Sequence, residues 1–137
     1  MYLAHERLTD QKIAIKELVP AFVDDPQAVQ RFVQEARVTL TLSHSNIVRT
    51  YRIFDDRDTY YLAMEYLPKG SLRDKLKGGA LPVAEATSVA VELCDALAYA
   101  HSKGVVHCDI KPANVLFDEM GQARLADFGI AHVSEHF

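Results

Sequence analysis

The sequence predicts an α+β chain, a small antiparallel sheet carrying one helix followed by a mainly helical part. Three observations carry this reading. Period-2 alternation appears early in the chain, a single amphipathic helix interrupts the strands, and one long alanine-rich helical stretch dominates the second half.

The elements follow in order. Gln11 to Leu18 alternates as a strand, with Ile13 and Ile15 on one face and Ala14 and Lys16 on the other. Asp25-Pro26 is a helix start, and Val29, Phe32, Val33, Ala36 and Leu40 recur at helical spacing down to about Leu42. Ile47 to Phe54 and Thr59 to Tyr66 are rich in aromatic and β-branched residues, with a hairpin turn expected at Asp55 to Asp58. Pro68-Lys69-Gly70 breaks the pattern, and Ser71 caps a short helix that stops at Gly78-Gly79.

From Pro82 to about Ser102, Ala86, Val89, Ala90, Leu93 and Leu97 share one side of a long helix, which is expected to be well buried. Val115 to Phe117 and Ala123 to Leu125 are two short strands joined by a turn at Glu119 to Gly121. The lobe boundary is placed near Leu67, giving 1–67 and 68–137 as the two parts.

Composition narrows the function classes. A formal charge of -4 gives no electrostatic reason to expect nucleic-acid binding. No apolar run approaches membrane-helix length, and the N-terminus lacks a signal-peptide pattern, so the chain as given reads as soluble. Cys94 and Cys108 fit neither a disulfide framework nor a zinc spacing with His101 and His107; free thiols in a reducing cytoplasm are expected.

The strongest motif is His107-Cys108-Asp109-Ile110-Lys111-Pro112-Ala113-Asn114, followed after the two short strands by Asp127-Phe128-Gly129. Upstream, Ile13-Ala14-Ile15-Lys16 is similar to V-A-I-K, and Glu35 lies on the next helix. Taken singly, each has a plain alternative. Lys16 reads as an exposed strand lysine, Glu35 as a solvated partner of Arg31, Asp127-Phe128-Gly129 as an Asp-started turn, and Asp109 as a loop carboxylate capping an amide. Their occurrence together, in order and at these spacings, resembles the protein kinase family, and specifically the eukaryotic-like serine/threonine kinases of bacteria.

The resemblance implies an incomplete bilobal kinase-like fold, a small sheet with one helix and then the first part of the helical lobe, with ATP and Mg2+ as cofactors and a protein substrate with a serine or threonine acceptor. By that resemblance Lys16 holds the α- and β-phosphates, and Glu35 orients Lys16 through an ion pair. Asp127 and Asn114 supply oxygen ligands to magnesium, Asp109 takes the proton of the acceptor hydroxyl, and Lys111 steadies the γ-phosphate. Met64 is the gatekeeper residue, Glu65, Tyr66 and Leu67 form the hinge that binds the adenine edge, and Ala14 packs on the adenine ring. His107 is expected to pack on Phe128 as support. The Asp-x-Lys-Pro-x-Asn loop favours serine and threonine over tyrosine.

The chain departs from the family pattern in three places. No glycine precedes Gly70, so the glycine-rich phosphate lid is expected to be missing; Met1-Tyr2-Leu3-Ala4 resembles the strand after it, with a start at an internal valine-type codon or a lost N-terminus as the expected cause. Gly129-Ile130-Ala131-His132 begins an activation segment, and the given sequence stops early in it, at Phe137. Cys108 replaces the usual arginine, implying no requirement for activation-loop phosphorylation. A half-domain of this kind is expected to expose apolar surface, to associate, and to position substrates poorly. Two other classes remain open: a non-catalytic kinase-like binding module or decayed fragment, and a small-molecule phosphotransferase of the same fold, which Lys111-Pro112 disfavours.

Overall fold

The computed structural model describes residues 1–18, 26–57 and 59–128, without the side chains of 18, 27–29, 31, 32 and 35. The expected helix start at Asp25, the apolar positions Val29 and Phe32, the turn residue Asp58 and the segment from Gly129 onward lie outside that description.

The described residues fall into two compact units. The first comprises Met1–Leu42 with Arg49–Tyr66, and the second comprises Ser43–Val48 with the chain from Leu67 onward. In the first unit, strands β1 (Tyr2–His5), β2 (Lys12–Leu18), β3 (Thr50–Asp56) and β4 (Thr59–Glu65) form one sheet in the order β1-β2-β4-β3, every neighbouring pair antiparallel. Tyr2 Oη donates to Glu17 at 2.7 Å and ties the edge strand to β2. Helix α1 (Pro26–Thr39) packs against β3. It ends in a tighter turn, where the amides of Leu40, Thr41 and Leu42 each donate three residues back, and Leu42 is buried there.

Two expectations about the strands need correction. The hairpin turn is shorter than the run Asp55 to Asp58, because Asp55 pairs with Tyr60 and Asp56 with Thr59, carrying the ladder two residues further. Ile47 to Phe54 is not one strand either. Ile47 and Val48 are buried in the second unit, where Ile47 bridges Leu125, whereas the sheet strand begins at Thr50. An apolar run alone does not say which sheet receives which half of it.

The second unit holds α2 (Leu72–Leu76), α3 (Val83–Ser102), a 3-10 turn at Pro112–Asn114, and the two-stranded ribbon β5 (Val115–Phe117) and β6 (Ala123–Leu125). Ser71 caps α2 through a reciprocal box, its hydroxyl accepting the Asp74 amide while the Asp74 carboxylate accepts the Ser71 amide. Helix α3 closes on a left-handed glycine: Gly104, at φ +73, donates to His101, and Val105 donates to Ala100.

The long helix is less buried than its alanine-rich sequence suggests. Val89, Ala96 and Ala100 are buried, Leu93 and Leu97 are half-buried, and Ala86 and Ala90 are exposed. The reason is that the element packed on it is narrow, a three-residue strand of the ribbon, which covers a single stripe of the helix. The ribbon supplies the core of this unit. Val115, Phe117, Ala123 and Leu125 alternate inward and are essentially inaccessible, so each large member stabilises the fold by roughly 1.5–3 kcal/mol.

Candidate active site

The loop from His107 to Asn114 is organised around one imidazole. His107, 1% exposed, contacts the Ala126 carbonyl with Nε2 at 2.9 Å, and its Nδ1 accepts the Asp109 amide at 3.2 Å. A carbonyl only accepts and an amide only donates, so the ring is the neutral tautomer with its proton on Nε2. Burial pushes His107 below its ordinary pKa, although the Ala126 carbonyl and the nearby Asp109 and Asp127 favour the charged form. The ring of Phe128 lies against it, centroids 4.7 Å apart and tilted 59°.

That bond is flanked by two left-handed residues. Cys108, immediately after His107, has φ +60, and Asp127, immediately after Ala126, has φ +51. Left-handed backbone in a residue other than glycine costs on the order of 1 kcal/mol and is better tolerated by Asp than by Cys. The sharp reversals thus occur at the first residue beyond each partner of the His107–Ala126 bond, where the chain is held from one side.

Beyond Cys108, three polar side chains converge. Lys111 Nζ lies 2.7 Å from Asp109 Oδ2, and Asn114 Nδ2 donates to the same oxygen at 3.1 Å and to the Asp109 carbonyl at 2.8 Å. The Lys111 ammonium first, and Asn114 with it, hold the Asp109 carboxyl below the usual carboxylate range. Asp109 and Lys111 are both half exposed to solvent, whereas Asn114 is buried. Asn114 is fixed by the 3-10 turn, its amide donating to Lys111, and its carbonyl accepts the Ala126 amide at 2.7 Å. The last bond holds Ala126, the residue before Asp127, against the end of the 3-10 turn.

The donor set suits a hard cation. Asp127 and Asn114 offer oxygen ligands, and among the described residues no group of three or more His, Cys, Asp and Glu forms a cage. Magnesium takes such sites, with one or two protein oxygens completed by phosphate and water.

In the first unit, the β2–β4 ladder sets Ala14 opposite Met64 and Lys16 opposite Leu62. Ala14 and Met64 are buried, and Lys16, two residues along the same strand face, is half-buried. Glu65 closes β4; its amide donates to the Arg49 carbonyl at 2.9 Å and its carboxylate accepts the Arg49 amide. Leu67 belongs to the second unit, where the chain re-enters it after Tyr66. Glu35 lies on α1, and its side chain is outside the described set.

Several supporting residues were not singled out by sequence reasoning. Asn46 donates to the Ala123 carbonyl and accepts the Leu125 amide, and Val48 donates to the Leu125 carbonyl, so Ser43–Val48 lines β6. Glu92 of α3 accepts the Ala123 amide at 2.7 Å. Asp118 accepts the amides of Met120 and Gln122 and meets Arg124 at 3.0 Å, locking the turn between β5 and β6. Only Asp118 had a sequence signal, an Asp two residues ahead of a Met-Gly turn.

The sequence matches the description "Protein kinase domain" over residues 1–136. The chain belongs to the protein kinase domain family. This kinase chain is 38% identical over 132 residues to the serine/threonine-protein kinase PrkC of Bacillus subtilis, covering 96% of this chain and 20% of that relative. It is 33% identical over 147 residues to the serine/threonine-protein kinase PknD of Protochlamydia amoebophila, 96% and 15% covered respectively. Mouse Aurora kinase B is 35% identical over 130 residues, covering 94% of this chain and 38% of that protein. The chain thus spans a fifth or less of the bacterial relatives named. Among the described residues, no helix is long and apolar enough to cross a membrane.

Proposed function

We propose that this chain carries the nucleotide- and acceptor-handling residues of a serine/threonine protein kinase that moves the γ-phosphate of ATP, with Mg2+, to a protein hydroxyl. The observation that carries the reading is the cluster of Asp109, Lys111 and Asn114, joined at 2.7 and 3.1 Å on one carboxylate oxygen. Phosphoryl transfer passes through a loose transition state, so the protein is asked mainly to position groups and balance charge.

Each residue then has a task. Asp109 Oδ2 is held by Lys111 and Asn114, and Oδ1 is the oxygen that meets the acceptor hydroxyl. A carboxyl held below its usual range is a weak base; it suits a residue that orients the hydroxyl and takes its proton late. Lys111 steadies the γ-phosphate, and Asp127 and Asn114 would hold Mg2+, which would supply charge neutralisation for the phosphates. Lys16 holds the α- and β-phosphates, oriented by Glu35, and Ala14 and Met64 border the adenine. Glu65, Tyr66 and Leu67 form the hinge whose backbone borders the adenine edge.

The division between units after Tyr66 supports a lobe boundary at Leu67, with 1–67 and 68–137 as parts of a small and a large lobe. The test is incubation with γ-labelled ATP, Mg2+ and a generic acceptor protein, followed by identification of the labelled amino acid. Phosphoserine or phosphothreonine is expected. Label on tyrosine would overturn the acceptor class, and nucleotide binding without transfer would support the non-catalytic module instead.

A further inference from the structure

We propose that the outer face of the four-stranded sheet carries a second ligand site, a recess that takes a short apolar peptide with free ends, a dipeptide in size. The site lies apart from the residues read as catalytic and stands or falls without them.

The recess measures about 290 Å³ and is lined by Glu6, Gln11, Ile13, Tyr51, Arg52 and Ala63, all in the first unit. Strand register places it. Ile13 lies opposite Ala4 and Glu65, and Ala63 lies opposite Ile15 and Arg52, so these residues share the face turned away from Ala14 and Lys16. The Glu6 amide donates to the Gln11 carbonyl at 2.9 Å, which continues the β1–β2 ladder by one pair on that same face. On the far side, Tyr51 is an extra residue in β3, because Thr50 lies opposite Met64 and Arg52 opposite its neighbour Ala63. Regular alternation would send Tyr51 and Arg52 to opposite faces; the bulge lets both line the recess.

The lining has an apolar floor and a charge at each side. Ile13 and Ala63 are 7% and 1% exposed, and Ala63 contributes only a methyl group, which leaves the space between the longer side chains. Arg52 is exposed, its guanidinium 5.5 Å from the Phe54 ring centroid, and it makes no ion pair among the described residues. Glu6 is half-buried, and the Thr9 hydroxyl donates to its Oε2 at 3.0 Å. Two further charges flank the recess: Arg49 lies 5.9 Å over the Tyr51 ring, and the Glu65 carboxylate accepts the Arg49 amide. Cations and carboxylates are thus matched in number. A simple anion would be opposed by Glu6 and a simple cation by Arg52, whereas a molecule with one charge of each sign pairs with both.

Size and span narrow the class further. Ligand sites commonly run from about 300 to 1,000 Å³, so this one is small, with room for one or two amino-acid residues. Glu6 continues β1 and Arg52 lies on β3, three strand spacings away, roughly 14 Å at the backbone. The two side chains bridge part of that distance. The charged ends of a single amino acid are too close together to close the rest, and those of a dipeptide are further apart. Its ammonium meets Glu6, its carboxylate meets Arg52, and an apolar side chain covers Ile13 and Ala63.

The test is equilibrium dialysis of labelled Leu-Leu against the full chain, repeated with the dipeptide acetylated at one end and amidated at the other. Saturable binding of the free dipeptide is expected, weakened about tenfold when both ends are blocked. Arg52→Gln and Glu6→Gln are each expected to weaken it about threefold to fivefold at low salt. Neither side chain is buried, and circular dichroism checks that both variants are folded. Ala63→Val, which fills the floor, is expected to abolish binding. Excess ATP with Mg2+ is expected to leave the affinity unchanged, because the recess is on the face away from Lys16. No saturable binding, equal binding of the blocked dipeptide, binding untouched by both rim variants, or displacement by ATP would overturn the proposal. None of these outcomes bears on phosphate transfer, and failure of the transfer assay leaves this site standing.

Discussion

His107 donates its Nε2 proton to the Ala126 carbonyl at 2.9 Å, and this bond joins the loop that presents Asp109 to the segment that presents Asp127. Because Nδ1 simultaneously accepts the Asp109 amide, one neutral ring fixes the backbone on both sides. His107→Phe keeps the packing on Phe128 but leaves the Ala126 carbonyl unpaired, and it is expected to cost about 1–3 kcal/mol in urea unfolding. His107→Ala, which also opens a cavity, is expected to cost more. A His107→Phe variant as stable as the parent would mean the bond does not hold the loops.

The same ring sets a pH dependence. Burial places its folded-state pKa below the ordinary 6.5, so the folded form binds fewer protons than the unfolded one as the solution is acidified. The stability it lends is present above about pH 6.5 and is lost as pH falls from there through the folded value. Asp118 acts in a lower window. Burial pushes its carboxyl up, but the Gln122 amide, Arg124 and the Met120 amide outweigh this and hold it below 3.8, so its contribution persists above that value and is lost on further acidification. A urea midpoint that declines in two stages, the upper one absent in His107→Phe, is the expected result. A midpoint flat from pH 7 to pH 5 would remove the histidine from the account.

Exposed apolar surface gives a third expectation. Strand β1 is at the sheet edge with Tyr2 and Leu3 each 56% exposed, and Val83 and Val91 are exposed on α3. Open strand edges and apolar patches favour pairing between copies. Light scattering on the purified chain is expected to give a mass above that of the monomer, reduced by Leu3→Lys, which charges the edge. A monomer that unfolds cooperatively at high concentration would contradict this.

Much of this was legible in the sequence for physical reasons that act locally. The Ala14 and Lys16 face follows from period-2 alternation, the Ser71 cap from a serine just after the Pro68-Lys69-Gly70 break, and the β5–β6 ribbon from two apolar triplets around the turn at Glu119 to Gly121. Features that depend on distant partners were not legible. Glu92 reads as an ordinary helix carboxylate until β6 brings the Ala123 amide to it, and Ile47 reads as the start of a sheet strand until Leu125 claims it. The left-handed backbone at Cys108 has no sequence signal, since cysteine has no preference for it. It is imposed by the bonds that His107 and Asn114 make around it.

Under the proposed function, the carboxylate held by Lys111 and Asn114 meets the acceptor hydroxyl. The most direct test is Mg2+-dependent phosphate transfer from ATP by the full chain, compared with Asp109→Asn. The amide preserves the shape and can still accept bonds from Lys111 and Asn114, but it cannot take the proton. Transfer is expected to fall by about 10²–10⁴ with nucleotide binding and the unfolding midpoint little changed. An Asp109→Asn variant that transfers phosphate at the parent rate would contradict the account.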